Sequence, residues 1–258
     1  MKKLLCIAVC LLPALLYAQS PFDGTWKTDM SKSKLSPKPN IFSIKGGMFD
    51  CESCVPKYSV KADGKDQMVK GQSFDTIAVQ APDPNTVKIT VKNDGKVTGE
   101  STRMLSSDGK TLTITGKNTP PNGQPVNYEV KLTRVAKGPA GSTPTSGSWR
   151  VENVKQDDPA LTTTWKVSGD EVMMTSGTGE SWTAKAGGGD APVKGSYYKD
   201  ETVSVKKLGP HEMEVTYHRD GKPFTIEKMT VSADGKKLTN VVENKWNGRI
   251  STYVDEKQ

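Results

Sequence analysis

Apolar and polar residues alternate along most of this chain. Val87, Ile89 and Val91 fall on one parity, with Lys88, Thr90 and Lys92 on the other. Met213, Val215 and Tyr217 repeat the pattern, as do the pairs Ile77/Val79 and Val203/Val205. A period of two gives a strand one buried face and one wet face. Asp-Gly pairs stand between these segments at 94–95, 108–109, 220–221 and 234–235. They favour tight hairpins in which both central residues take positive φ. Gly, Thr, Val and Lys are abundant and long Leu/Ala/Glu runs are missing, which also suits strands and turns. The spacing predicts about eight strands in each half of the chain, joined mainly by hairpins. A meander of that length closes into an up-and-down barrel, which removes exposed edges; a two-sheet sandwich is the alternative.

The two halves repeat each other. Lys61-Ala62-Asp63-Gly64 through Val69-Lys70-Gly71 matches Lys185-Ala186-Gly187-Gly188 through Val193-Lys194-Gly195 at an offset of 124. Asn93-Asp94-Gly95-Lys96 matches Arg219-Asp220-Gly221-Lys222 at 126, and Ser107-Asp108-Gly109-Lys110 matches Ala233-Asp234-Gly235-Lys236 at the same offset. Gly24-Thr25-Trp26 matches Gly147-Ser148-Trp149 at 123. Four matches in one order indicate two copies of one unit. The fold expected is therefore all-β: two tandem antiparallel barrels, with a first unit at 22–136 and a second at 148–256. Residues 137–147, rich in Gly, Pro and Ser, read as a linker without core residues.

The N-terminus departs from the alternation. Lys2 and Lys3 precede an apolar run from Leu4 to Leu16, and Ala18 suits cleavage. That is the layout of a secretory signal peptide, 1–18. The run falls short of the roughly 20 residues a membrane span requires. The expected product is periplasmic or secreted, not membrane-spanning, and monomeric. Without residues 1–18 the chain has 34 basic and 29 acidic side chains, net +5. The excess sits in residues 22–136, with 17 basic against 12 acidic, while 148–258 holds 16 against 17. The basic residues are interspersed, many in turns, with no basic stripe carrying aromatics between the charges, so no nucleic-acid partner is expected.

Each unit opens with Gly-x-Trp, at Gly24/Trp26 and Gly147/Trp149. This resembles the opening motif of lipocalin-type (calycin) barrels, in which the Trp packs under an Arg from the last strand. The resemblance implies that Arg134, which shares parity with Tyr128, Val130 and Leu132, lies over Trp26 as a cation–π pair. In the second copy Tyr253 takes the Arg position. The whole pattern of signal, Gly-x-Trp, Lys-Ser-Lys-Leu, Cys-x-Ser-Cys-x-Pro and Asp-Gly-Lys hairpins resembles exported bacterial proteins with tandem lipocalin-like units.

Cys51 and Cys54, in the first copy alone, have several readings. An exporting compartment favours a disulfide across a tight turn. A redox pair is the second, although the helix start and βαβ setting it needs are missing. Two thiolates with Met48 could hold Cu(I), the third. Zinc would need more ligands than these, and Val55 stands where haem attachment needs His.

No catalytic constellation is legible. His218-Arg219-Asp220 spells a kinase triplet but runs into Gly221-Lys222 as a hairpin turn. His211 and His218 are expected as exposed polar residues, and no cofactor or metal is expected. Three functions remain: a binding module for a small apolar ligand, an envelope structural or interaction protein with filled barrels, and a redox or metal protein acting through the cysteines. For the first, the candidate ligand-binding residues are Trp26, Phe42, Phe74, Arg134, Trp149, Trp165, Trp182 and Tyr197, with Tyr198 beside them. The cysteines, the basic excess and the Trp26/Arg134 pairing favour the first unit as the functional one.

Overall fold

The computed structural model describes residues 19–121 and 123–258, so the expected signal segment lies outside the described residues. The strands are β1 (Gly24–Thr28), β2 (Asn40–Lys45), β3 (Met48–Cys51), β4 (Tyr58–Lys61), β5 (Asp63–Met68), β6 (Thr76–Asp83), β7 (Thr86–Asn93), β8 (Lys96–Leu105), β9 (Thr111–Asn118), β10 (Val126–Lys137) and β11 (Gly147–Gln156). After one helical turn, α1 (Asp158–Leu161), come β12 (Thr162–Ser168), β13 (Glu171–Ser176), β14 (Ser181–Lys185), β15 (Ala191–Pro192), β16 (Thr202–Gly209), β17 (Glu212–Arg219), β18 (Lys222–Val231), β19 (Lys237–Asn244) and β20 (Arg249–Lys257).

These strands form two antiparallel, nearly closed barrel-like sheets of ten strands each, not about eight. The surplus is strand that periodicity cannot mark. β5 is polar and almost wholly exposed, and β15 is two residues long. In the first barrel the edge strands β4 and β5 are one run of chain bent at Ala62. In the second, Ser181 and Lys194 exchange backbone hydrogen bonds of 2.9 and 2.8 Å, and Gly187 N–H donates to Val205 O at 2.8 Å.

The hairpins divide into two kinds. Asp94-Gly95 and Asp220-Gly221 have positive φ at both residues, as a two-residue hairpin requires. At 108–109 and 234–235 only the glycine does. There the aspartate side chain instead accepts from the hydroxyl two residues back (Ser106, Ser232) and the backbone N–H two residues on (Lys110, Lys236).

The sheets are not the sequence copies. The first sheet runs β4-β3-β2-β11-β10-β9-β8-β7-β6-β5 and the second β14-β13-β12-β1-β20-β19-β18-β17-β16-β15. The expected units at 22–136 and 148–256 thus exchange their first strands. β11 lies between β10 and β2, and β1 lies between β20 and β12. The cause is the segment read as a linker at 137–147. It is the connection of a long hairpin, which keeps consecutive strands adjacent, as is usual. Thr145 and Ser146 in it are buried, and Ser146 Oγ accepts from Ile44 N–H at 2.8 Å. β11 completes the first barrel and leaves through α1, so the N-terminal strand must complete the second.

The exchange redirects the tryptophan pairs. Arg134 lies over Trp149, with its guanidinium carbon 4.0 Å from the ring centroid, and not over Trp26. Its N–H groups donate to the carbonyls of Gly109, Ser146 and Pro144 at 2.6–2.8 Å. Trp26 instead sits opposite Lys257, whose ammonium is 5.3 Å from the ring. Lys257, not Tyr253, is thus the counterpart of Arg134, at the same offset of 123 as the tryptophans. Both indole N–H groups donate to the carbonyl four residues back, Phe22 at 2.8 Å and Thr145 at 3.1 Å. The motif glycine serves this packing: a side chain at Gly24 would meet Lys257 at 2.9 Å, and one at Gly147 would crowd Arg134.

Candidate functional site

The second barrel holds a cavity of about 380 Å³, open to solvent, among β12, β13, β17, β18, β19 and β20. Its apolar wall includes Trp165, Met174, Met229 and Leu238. Its polar wall is formed by Glu180, Glu227, Asp255, Tyr217, Asn240 and Tyr253, and no Lys, Arg or His lines it. Thr28 and Met30 from the N-terminal segment and Gln156, Ala160 and Leu161 from the β11–α1 exit also line it. The strand exchange therefore brings both copies to this site. An adjoining groove of about 450 Å³ shares Thr28, Met30, Gln156 and Leu161 and carries Lys27 and Lys155.

Few hydrogen bonds hold the polar wall. Trp182 Nε1 donates to Tyr217 Oη at 3.2 Å, Asn240 Nδ2 to Glu227 Oε2 at 3.0 Å, and Thr28 Oγ1 to Asp255 Oδ1 at 2.6 Å. The Oδ1 of Asn240 is buried without a donor. Burial dominates the titration of these groups. It raises the Glu227 carboxyl to about 7, against the Asn240 hydrogen bond. It raises Glu180 to about 7, helped by repulsion from Glu201 and Glu227 and opposed by Arg219. Asp255 is raised by burial despite the Thr28 hydrogen bond, and Tyr217 is pushed well above the ordinary phenol range.

The first barrel carries a different interior. At the repeat offsets, Val91 stands for Tyr217, Ser101 for Glu227, Ile114 for Asn240, Val130 for Tyr253, Leu132 for Asp255 and Pro56 for Glu180. Arg103 takes the position of Met229. Its guanidinium is drawn inward, 4.6 Å from the Phe42 ring and 5.7 Å from the Phe49 ring. Burial lowers its pKa, and its Nε has no hydrogen-bond partner.

Of the eight residues selected from sequence, Trp165 lines the cavity, and Trp182 backs it from 5.5 Å in an edge-to-face pair. Trp26 and Trp149 are core residues under Lys257 and Arg134. Phe42 stacks on Phe49 beneath Arg103, and Phe74 meets Tyr58 edge-on at 6.3 Å. Tyr197 is half-buried outside the cavity, and Tyr198 packs with Phe224 against Arg219, which pairs with Glu201 at 3.6 Å. His211 and His218 are half-buried rather than exposed.

Cys51 and Cys54 form a disulfide, with Cys51 inside the first core and Cα atoms 5.4 Å apart. Among the described residues no group of three or more His, Cys, Asp and Glu side chains is placed to hold a metal ion. No described helix is long and apolar enough to cross a membrane.

Sequence reasoning missed the polar wall, although a signal existed. Glu227 shares parity with Met229 and Val231, and Asp255 aligns with Leu132. Carboxylates on an inward parity, matched by Ser101 and Leu132 in the other copy, mark an interior built for something besides packing. Comparison with family models, with curated proteins and with solved structures finds no match to this chain.

Proposed function

We propose that this is an exported, lipocalin-like binding protein, periplasmic or secreted, that takes a small organic ligand into the second barrel. One observation carries the reading: a cavity of about 380 Å³, within the usual range for ligand sites, has an apolar wall and convergent polar groups. Six polar residues there replace residues that are mainly apolar in a sister barrel of the same topology, so folding alone does not call for them. The groove at the mouth, between the ends of β1 and β11, serves as the vestibule. The ligand is amphipathic rather than purely apolar, since half of what it meets is polar.

Native mass spectrometry of residues 19–258 purified from the source cell tests this. A retained small-molecule adduct, lost on denaturation, is the expected result. A bare chain mass in every preparation, with no small molecule raising the melting temperature in a broad screen, contradicts it. The binding role would then give way to that of a structural protein.

A further inference from the structure

The chemistry of the second barrel narrows its ligand, and this step rests on the binding reading above. Three carboxylates, Glu180, Glu227 and Asp255, face one cavity with no basic side chain in its lining. A buried carboxylate is ordinarily paired or neutralised. Here each has at most one short-range donor, from Asn240 or Thr28. Two further groups keep unused hydrogen-bonding capacity. Asn240 Oδ1 is a buried acceptor without a donor. Tyr217, 9% exposed, accepts from Trp182, and its own hydroxyl hydrogen finds no acceptor among the described residues. The carboxylates are not grouped as metal ligands. An organic cation in the cavity would supply the positive charge that the lining lacks. Trp165, Tyr217 and Tyr253 supply aromatic surface that favours such a cation and its carbon frame.

We infer that the cavity of the second barrel binds an organic ammonium compound: a protonated amine, directed at Glu227 and Asn240, on a compact apolar or aromatic body. The volume holds about a dozen water molecules at liquid density, and so an organic molecule of about that many non-hydrogen atoms. An ammonium has three donors and no acceptor, which matches a site offering carboxylates and an unpaired amide oxygen. An acceptor on the body would meet the Tyr217 hydroxyl hydrogen.

The test uses residues 19–258 and two isosteres, 1-naphthylmethylamine and 1-naphthalenemethanol, titrated calorimetrically at pH 8. The amine is expected to bind at least tenfold more tightly than the alcohol. Glu227→Gln should weaken the amine at least tenfold and leave the alcohol within threefold. Glu180→Gln, at the edge of β14, should lower the same preference and serves if the first variant does not fold by circular dichroism. Ala160→Trp, at the mouth, should block both compounds. Equal binding of amine and alcohol, both blocked by Ala160→Trp, would overturn the cationic class and leave the binding reading standing. Tight amine binding unaffected by either glutamine substitution would also overturn it. Binding of neither compound up to 1 mM would count against both readings.

Discussion

Leu132 and Asp255 occupy the same place in the two barrels, each opposite a leucine of the preceding strand, Leu112 or Leu238. The surrounding differences follow one direction. Val91, Ile114 and Val130 in the first barrel become Tyr217, Asn240 and Tyr253 in the second. Strand count, tryptophan base and hairpin geometry are common to both. The scaffold therefore needs none of the second barrel's carboxylates. In the first barrel the same positions are mainly apolar, and Arg103 is drawn inward over Phe42. Function on a repeated scaffold is read from where the copies disagree.

The comparison can be broken most forcefully at the exchanged strands. Trp26→Ala and Trp149→Ala should each destabilise by about 3–5 kcal/mol, as for large core truncations. Amide exchange should place the damage crosswise. Loss of Trp26 should loosen 162–168 and 249–257, and loss of Trp149 should loosen 40–45 and 126–137. Damage confined to each tryptophan's own copy would refute the exchange.

The interior substitutions should be asymmetric. Leu132→Asp places a carboxylate at a position that is 1% exposed and should cost about 3–5 kcal/mol in urea unfolding. Asp255→Leu should be neutral or stabilising at pH 8 and abolish amine binding. Equal destabilisation by the two would show that Asp255 is a structural residue.

Titration gives the next largest effect. Glu180 and Glu227 are raised from 4.5 to about 7 in the folded chain, so between those values the folded state holds protons that the unfolded chain has lost. Their contribution is complete below pH 4.5 and disappears as pH rises through 7. Asp29, Asp75, Asp108 and Asp234 are lowered, chiefly by hydrogen bonds, and their contribution is lost in acid instead. Melting temperature should therefore peak in mild acid and fall toward pH 8. Glu227→Gln should flatten that fall and stabilise the free protein by about 2–3 kcal/mol at pH 8. An unchanged pH profile would place Glu227 in contact with bulk water.

The smallest effect lies at the base. Arg134→Lys keeps a cation over Trp149 but cannot reach all three carbonyls, so a loss of about 1–2 kcal/mol is expected by urea unfolding. Lys257→Arg should be neutral or slightly stabilising. Equal effects at the two sites would mean that the carbonyl contacts add nothing.

Much of this fold can be read from the chain. The parity of Val87, Ile89 and Val91 gives strand and face, Asp94-Gly95 gives its hairpin, and the repeat gives two equivalent sheets. The exchange is not legible, because Gly24–Trp26 and Gly147–Trp149 carry the same motif and either strand suits either sheet. The choice lies in the reach of residues 138–146, which return β11 beside β10. For the same reason Arg134 is expected over Trp26 rather than Trp149, and Lys257, the cation that does lie over Trp26, is hidden behind Tyr253. The site was obscured differently. The cysteines and the basic excess mark the first copy, while nothing in the neighbouring sequence sets Glu227 and Asp255 apart from other acids. Only their parity, set against Ser101 and Leu132 in the other copy, distinguishes them.

Hydrogen exchange with and without saturating 1-naphthylmethylamine tests the central claim that the second barrel, completed by the N-terminal strand, is the binding unit. Protection confined to residues 24–30 and 156–257 is the expected result. Protection spread over 40–155, or in 156–257 without 24–30, would contradict it.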